Sequence, residues 1–395
     1  RIFENQLAPT DVEKFINVSR VLWNHVFNNR DSLLFTCIPK HGPGATAERL
    51  SGNAKFLMQR WHDRLEPYFP LLDTAFVNSN AVESEEFEKM EIVSEDDEQP
   101  VRVVPVPKTL KGPRIIAIEP VCMQYTQQAL SRELYKILES SDLVGGQVNF
   151  TDQSINQKLA ITSSITKAYA TIDMSSASDR VPCELALRMF DGVPDIRDAI
   201  YACRSKNAIL PDGTLVPLKK FASMGSALCF PVEAMYFYTC CVRALLEARG
   251  LPCTFLAIRS VAKDVFVYGD DIIVPTDESD VVISTLQKYY CKVNVRKSFT
   301  TGNFRESCGM DAFLGEDVTP IYLRSVPPDN KRSASEIISW IATSNLLFAK
   351  GYWQTASLLV KEVECVIGFA LPILGKCSGG LGLHHPFSDL VSVQR

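Results

Sequence analysis

Zinc-ligand spacing is missing from this sequence. Its twelve cysteines (37, 122, 183, 203, 229, 240, 241, 253, 291, 308, 365, 377) form no CxxC pair, and its five histidines complete no ligand set. A structural zinc site is therefore not expected, and the scattered cysteines suit reduced, mostly buried thiols of a cytosolic protein. No apolar run reaches about 18 residues without a charge, so no transmembrane helix is predicted and no membrane partner is expected. The opening RIFENQLAPTDVEKF has no apolar h-region, hence no expected signal peptide. Its start at Arg1 rather than Met is what a fragment or a processed product would show. No internal repeat is visible, which sets solenoid architectures aside.

An excess of positive charge is lacking as well. The net charge is −5, at first an argument against a nucleic-acid partner. The charge is unevenly placed, however. Residues 81–100, AVESEEFEKMEIVSEDDEQP, hold nine acids and one lysine, a net of −8, which leaves +3 for the rest of the chain. The next fourteen residues, VRVVPVPKTLKGPR, carry Arg102, Lys108, Lys111 and Arg114 and no acid. A mildly basic body thus bears one acidic segment, which reads as a solvated surface loop.

What remains is an ordinary globular composition, 46% hydrophobic and 22% charged over 395 residues, enough for a core and two or three subdomains. Helical spacing appears in VEKFINVSRVLWNHVF, over 121–140, 183–190, 225–248 (with Pro231 inside), 278–290 and much of 333–395. Residues 101–118 predict two strands around KGP, AYATID at 168–173 predicts a short strand, and NAILPDGTLVPL and VFVYGDDIIVP predict hairpins. VNVRKSF and AFLGEDVTPIYLR also read as strands. Hairpins interleaved with helices predict an α+β fold with an antiparallel sheet.

The hairpin VFVYGDDIIVP places Asp270 and Asp271 side by side at a turn. Taken singly this is an ordinary turn, since Asp and Gly are standard there. A second short strand changes the weighing, because TIDMSSASD ends it in Asp173. Should the two strands be neighbours, three carboxylates meet above one sheet, and divalent cations would remove their mutual repulsion. Two Mg²⁺ ions about 4 Å apart suit in-line phosphoryl transfer. Between these segments, Ser223-Met224-Gly225 is a small loop opening onto an apolar helix, where Gly225 permits close backbone approach to a ligand. Lys108, Lys111 and Arg114 set several cations on one turn, suited to a triphosphate or equally to a solvated hairpin.

The ordered set VPKTLKGPRIIAIEP, TDQSINQKLA, TIDMSSASD, LPDGT, SMG, VYGDDIIVP, KSF, FRESCG and DVTPIYLR, spanning about 101–324, resembles the replicase β subunit of leviviruses, the positive-strand RNA phages. The resemblance implies an RNA-directed RNA polymerase with a right-hand fold. Fingers would come from 1–100 (81–100 an acidic loop) and 101–170, a palm from 171–325 with a fingers insertion at about 192–222, and a thumb from 326–395. It carries over Asp173, Asp270 and Asp271 as ligands of two Mg²⁺ ions, with Mn²⁺ as a substitute. It makes Lys108, Lys111 and Arg114 binders of the NTP triphosphate, sets Asp179 near the ribose 2′-hydroxyl and puts Ser223 and Gly225 beside the template–nucleotide pair. Lys297 would protonate pyrophosphate, unless it is a plain surface lysine. The implied partners are template and nascent RNA, NTPs, and host elongation factors Tu and Ts with a ribosomal protein, in the cytoplasm of an infected bacterium.

Two positions depart from related patterns. Glu233 stands where many RNA polymerases have Asn, eight residues after the motif glycine, and Gly225-Ser226-Ala227 replaces the phage GNG. A reverse transcriptase shares the palm, but the small polar residues after Asp173 favour ribonucleotides. A non-catalytic RNA-binding relative is the other alternative, and the presence of all three carboxylates argues against it.

Overall fold

The computed structural model describes residues 6–28, 33–50, 52–76, 83, 85–109, 112–375 and 379–384, and divides the chain into two compact units, 1–318 and 319–395. Helices and sheets are mixed throughout, the α+β class that the sequence predicts.

The first unit is built around the helix Cys229–Ala248. Its residues are apolar on nearly every side, so burial on all faces is the stable outcome. It is the one helix among the described residues long and apolar enough to cross a membrane, and it is buried in the core. Pro231 is tolerated because it lies in the first turn, where backbone N–H groups lack helical acceptors. The helix consequently starts at Cys229, four residues after the predicted 225. Around it pack Pro9–Phe27, Val121–Glu139, Phe255–Ala262 and Ser279–Lys288. Phe15 lies against both Tyr236 and Tyr289, with ring centroids 5.2 and 5.4 Å away, and the Trp23 indole N–H donates to Thr239 Oγ1 at 3.0 Å.

Two sheets frame a cleft. One has four strands in the order Gly112–Ile118, Val101–Thr109, Asn207–Ile209, Leu215–Pro217. The other has three, Tyr169–Ile172, Asp271–Pro275 and Phe266–Tyr268, all antiparallel. A third small sheet, Phe304–Ser307, Met310–Phe313 and Glu316–Asp317, packs on the helix Ser154–Thr166.

The structure corrects three expectations. The acidic stretch 81–100 is not a plain loop. Its described part contains the helix Glu85–Glu88 and the strand Glu91–Val93, paired in parallel with Arg60–His62. Val93 is buried, and the acids find cations: Glu91 pairs with Arg60 at 2.9 Å, Glu95 with Lys206 and Glu98 with Arg64. VNVRKSF forms no strand. Val293 and Phe299 make isolated bridges to Met174 and Thr171, while Val295–Lys297 winds into a 3₁₀ turn between them. DVTPIYLR holds no strand beyond Asp317, its remainder being irregular and largely exposed. The described cysteines are all free, and seven are buried.

The second unit centres on a helical hairpin, Ala334–Ala349 and Trp353–Ile367. They close over Ile337, Trp340, Ile341, Leu359 and Val363. Gly351 at φ +85° turns the chain between them. Two short parallel strands, Ile373–Leu374 and Leu383–His384, complete what is described of a region predicted as mostly helical.

Candidate active site

The strand Asp271–Pro275 pairs with Tyr169–Ile172 in the register Ile172↔Ile272, and one further step places Asp173 opposite Asp271. Directly opposed residues of an antiparallel pair share a face, so the two carboxylates lie on the same side. Tyr268 and Asp271 close the neighbouring hairpin, which leaves Gly269 and Asp270 as its two-residue turn. Gly269 takes φ +61°, and a Cβ there would stand 2.0 Å from Phe230 Cε2, so both the turn and its packing require glycine.

The charges of these aspartates act on one another. Burial, then the repulsion of Asp270 and Asp173, pushes Asp271 up to about 7, against hydrogen bonding from Cys308. Asp173 is raised by burial and by Asp270, and is held down by the Asn294 amide, which donates to its Oδ2 at 2.8 Å. The donor set is all oxygen, which fits Mg²⁺ chemically. Among the described residues, no group of three or more His, Cys, Asp or Glu is arranged to hold a metal ion as it stands.

Asp270 also borders a cleft of about 660 Å³, shared with Arg114, Asp179, Gly225, Ser226 and Glu233. Arg114 is exposed on the strand Gly112–Ile118. Lys108 lies in the partner strand with its side chain outside the described residues, and Lys111 lies outside them altogether. Asp179 pairs with Lys220. Ser223 is buried, not presented to the cleft. Gly225 has φ +128°, and a Cβ on it would sit 2.0 Å from the Ala117 carbonyl oxygen, because the Ala117 N–H donates to Met224 O at 2.8 Å and clasps the loop to the four-stranded sheet. Lys297 donates to Glu306 at 2.9 Å. That bond above all raises its pKa, with Asp173 and Asp271 adding to the shift.

A family model described as "RNA replicase, beta-chain" matches residues 49–331. The chain belongs to this replicase β-chain family. It is 31% identical over 303 residues to the RNA-directed RNA polymerase subunit beta of Qbeta virus (strain MX1), covering 74% of this chain and 47% of the relative. It is 36% identical over 265 residues to that of Enterobacteria phage SP, covering 66% and 42%. With the RNA-directed RNA polymerase beta chain of Escherichia phage MS2 it shares 35% over 228 residues, covering 58% and 38%. Each match spans less than half of the relative's length.

The structure also shows what the replicase motifs DQSINQ and FRESCG do. The Gln157 amide donates to Cys308 O at 3.0 Å, and Asn156 reaches Ser307 Oγ at 3.5 Å. The helix Ser154–Thr166 therefore holds the tight turn whose Cys308, at φ +50°, lies against Asp271. Arg305 is fully buried and donates from Nε to Tyr169 O at 2.7 Å, tying the same sheet to the strand Tyr169–Ile172 that leads into Asp173. The Tyr268 hydroxyl donates to Phe150 O at 2.9 Å and accepts from Gln153 at 3.2 Å. Sequence reasoning singled out these motifs but gave Cys308, Glu306, Asn294 and Lys220 no role. Cys308 and Glu306 were signalled only as members of FRESCG, while Asn294 and Lys220 lay outside the quoted motifs. The partners of Cys308 and Asn294, 151 and 121 positions away, leave no local periodicity.

Proposed function

We propose that this chain catalyses RNA-templated RNA synthesis from NTPs, as its relatives' names describe for them. The observation that carries this reading is the placement of Asp173 beside Asp271, with Asp270 in the turn bordering the cleft. Asp173, Asp270 and Asp271 would hold two Mg²⁺ ions, with Mn²⁺ as a substitute, which would supply activation of the 3′-hydroxyl and neutralisation of the leaving pyrophosphate.

The chain's own residues then divide the remaining work. Arg114, with Lys108 and Lys111 on the same hairpin, binds the triphosphate. Asp179, steered by Lys220, meets the ribose 2′-hydroxyl. Gly225 lets the backbone approach the template–nucleotide pair, and the buried Ser223 supports that loop from beneath. Lys297, once released from Glu306, donates a proton to pyrophosphate. In this reading the chain forms a right hand, with fingers from 1–170 and about 192–222, palm from 171–325 and thumb from 326–395. The relatives are named beta subunits, which supports assembly with further subunits. Host elongation factors Tu and Ts and a ribosomal protein, in the cytoplasm of an infected bacterium, are the proposed setting.

The test is an RNA-extension assay on a defined RNA template with NTPs, with and without Mg²⁺ and host extract. Template-dependent, Mg²⁺-dependent extension is expected. Protein that binds the template yet never extends it under any of these conditions would overturn the reading in favour of a non-catalytic RNA-binding relative.

A further inference from the structure

Beneath the cleft, buried polar groups from four separate segments meet at one residue, Gln127, in the helix Val121–Glu139. Its side chain is wholly buried. Its Oε1 accepts from the Ser226 hydroxyl at 3.0 Å and from the Ala227 N–H at 3.1 Å. Its Nε2 donates to Cys203 O at 2.8 Å and also to the Glu119 carboxyl. A primary amide offers two acceptor lone pairs and two N–H donors, so all four are engaged. Only one orientation of the amide allows this. Turned over, it would set N–H against the Ala227 N–H and oxygen against Cys203 O. A buried network with every member satisfied is rigid.

Two of the four bonds end on the loop Ser223–Ala227, whose Met224, Gly225 and Ser226 line the cleft. The Ser226 hydroxyl donates to Gln127 and accepts from the Leu228 N–H at 3.3 Å, so its bonding is spent within the protein. What the loop shows the cleft is then the Met224 side chain, 39% exposed, and the Gly225 backbone. A third bond runs to Glu119, which directly follows the strand Gly112–Ile118 and is pinned from its other side by Ser205. That strand carries Arg114 and Ile115, which line the same cleft. One amide thereby ties the loop on one wall to the root of the strand on the other.

We propose that Gln127 is a positioning residue for nucleotide selection, setting the spacing between the Met224–Gly225 loop and the Arg114–Ile115 strand into which the template–nucleotide pair is fitted. The proposal rests on the reading that the chain copies RNA. Gln127 touches no substrate and acts through the loop. A mismatched pair differs in width from a matched one, so a cleft of fixed spacing rejects it and a loose one does not. Misplacement by about 1 Å is enough to cost on the order of a hundredfold in rate.

The test lets the full chain extend a defined RNA template with the matched NTP and one mismatched NTP present together. The product ratio reports discrimination whatever fraction of the enzyme is folded. Gln127→Leu, similar in size but without hydrogen-bonding groups, should lower that ratio about tenfold, and Ser226→Ala about threefold. The double variant should fall no lower than Gln127→Leu, because both changes break the same link. Hydrogen exchange followed by mass spectrometry should quicken at 223–228 in Gln127→Leu and stay unchanged at 232–246. Wild-type discrimination in Gln127→Leu, or unchanged exchange at 223–228, overturns the proposal. So does a double variant whose loss multiplies the two single losses, which would make Ser226 a direct substrate contact. Should Gln127→Leu fail to fold, Ser226→Ala decides: lower discrimination together with faster exchange at 223–228 supports the proposal, and either one without the other overturns it. A wild type that never extends RNA counts against the proposed function, and unchanged loop exchange in that protein counts against this inference too. A wild type that extends RNA beside a Gln127→Leu of equal discrimination counts against this inference alone.

Discussion

Asp270 occupies a turn bordering the cleft and imposes like-charge repulsion on Asp173, Asp271 and Glu233. Asp270→Asn should therefore abolish RNA synthesis while leaving the metal-free protein as stable as wild type, or more stable by about 1 kcal/mol, because a repelling charge is gone. Extension assays beside thermal melts check both halves, and synthesis near the wild-type rate would remove Asp270 from the chemistry. A different carboxyl sets a pH dependence. Glu119 is fully buried, accepts from Ser205, and is pushed by burial from 4.5 up to about 7. The native state thus keeps a proton that the unfolded chain has already released across that window. The resulting stability is complete below pH 4.5 and is lost as pH rises through about 7, by at most about 3 kcal/mol. Glu119→Gln should flatten this part of the stability curve, and an unchanged slope in denaturant melts between pH 5 and 8 would show that Glu119 is not the group responsible. Glu233, raised to about 8 mainly by burial and then by Asp270, adds a second titration that the Glu119 variant leaves in place.

Between elements, the site depends on two clasps. One is Gly225 against Ala117 O, and the other is Gln157 holding Cys308. Gly225→Ala adds a Cβ where φ is +128° and the nearest carbonyl oxygen would be 2.0 Å away, so the loop must leave the sheet. Activity should fall at least tenfold, while global stability drops only about 1–3 kcal/mol, the cost of one strained residue. Melting curves and extension rates measured together separate this from general unfolding. The hairpin 266–275 and the strand ending at Asp173 were legible in sequence, because each is a short β-prone run closed by a turn residue. Their pairing was reachable too, as a bet on convergence that the register Ile172↔Ile272 now makes concrete. The 293–299 segment was not legible as it is. Its β-prone residues are used for single bridges at its two ends, and the Asn294 N–H donates to Asp173 O at 2.8 Å while the side chain serves Asp173 Oδ2. Such a role depends on a partner 121 positions away, which no local pattern encodes. The acidic segment misled for a related reason. Its charges suggested solvation, yet Glu98 is almost wholly buried by Arg64, and a buried ion pair looks the same in sequence as an exposed one.

At the scale of the whole molecule, the division at 318/319 has a physical origin. The last strand of the first unit ends at Asp317, and the helix Ala334–Ala349 opens the second core. Residues 318–333 contain no helix or strand and are largely exposed. Their described hydrogen bonds include the Lys350 side chain on Thr319 O at 2.7 Å and the Trp340 indole on Ser325 O at 3.4 Å. A backbone outside any helix or sheet opens at low free energy, and exposed, irregular chain is where proteases cut first. Within it stand three basic residues, Arg324, Lys331 and Arg332, all exposed. By contrast, Arg305 is wholly buried and Arg243 nearly so, out of a protease's reach until the first unit opens globally. Brief digestion with dilute trypsin should therefore cut first at Arg324, Lys331 or Arg332, giving a large N-terminal product that ends there. The mass of that product, read by intact mass spectrometry, checks the expectation. Early cleavage at sites inside 112–318, at the same rate as in 319–333, would mean that the first unit lacks the cooperative core formed around Cys229–Ala248.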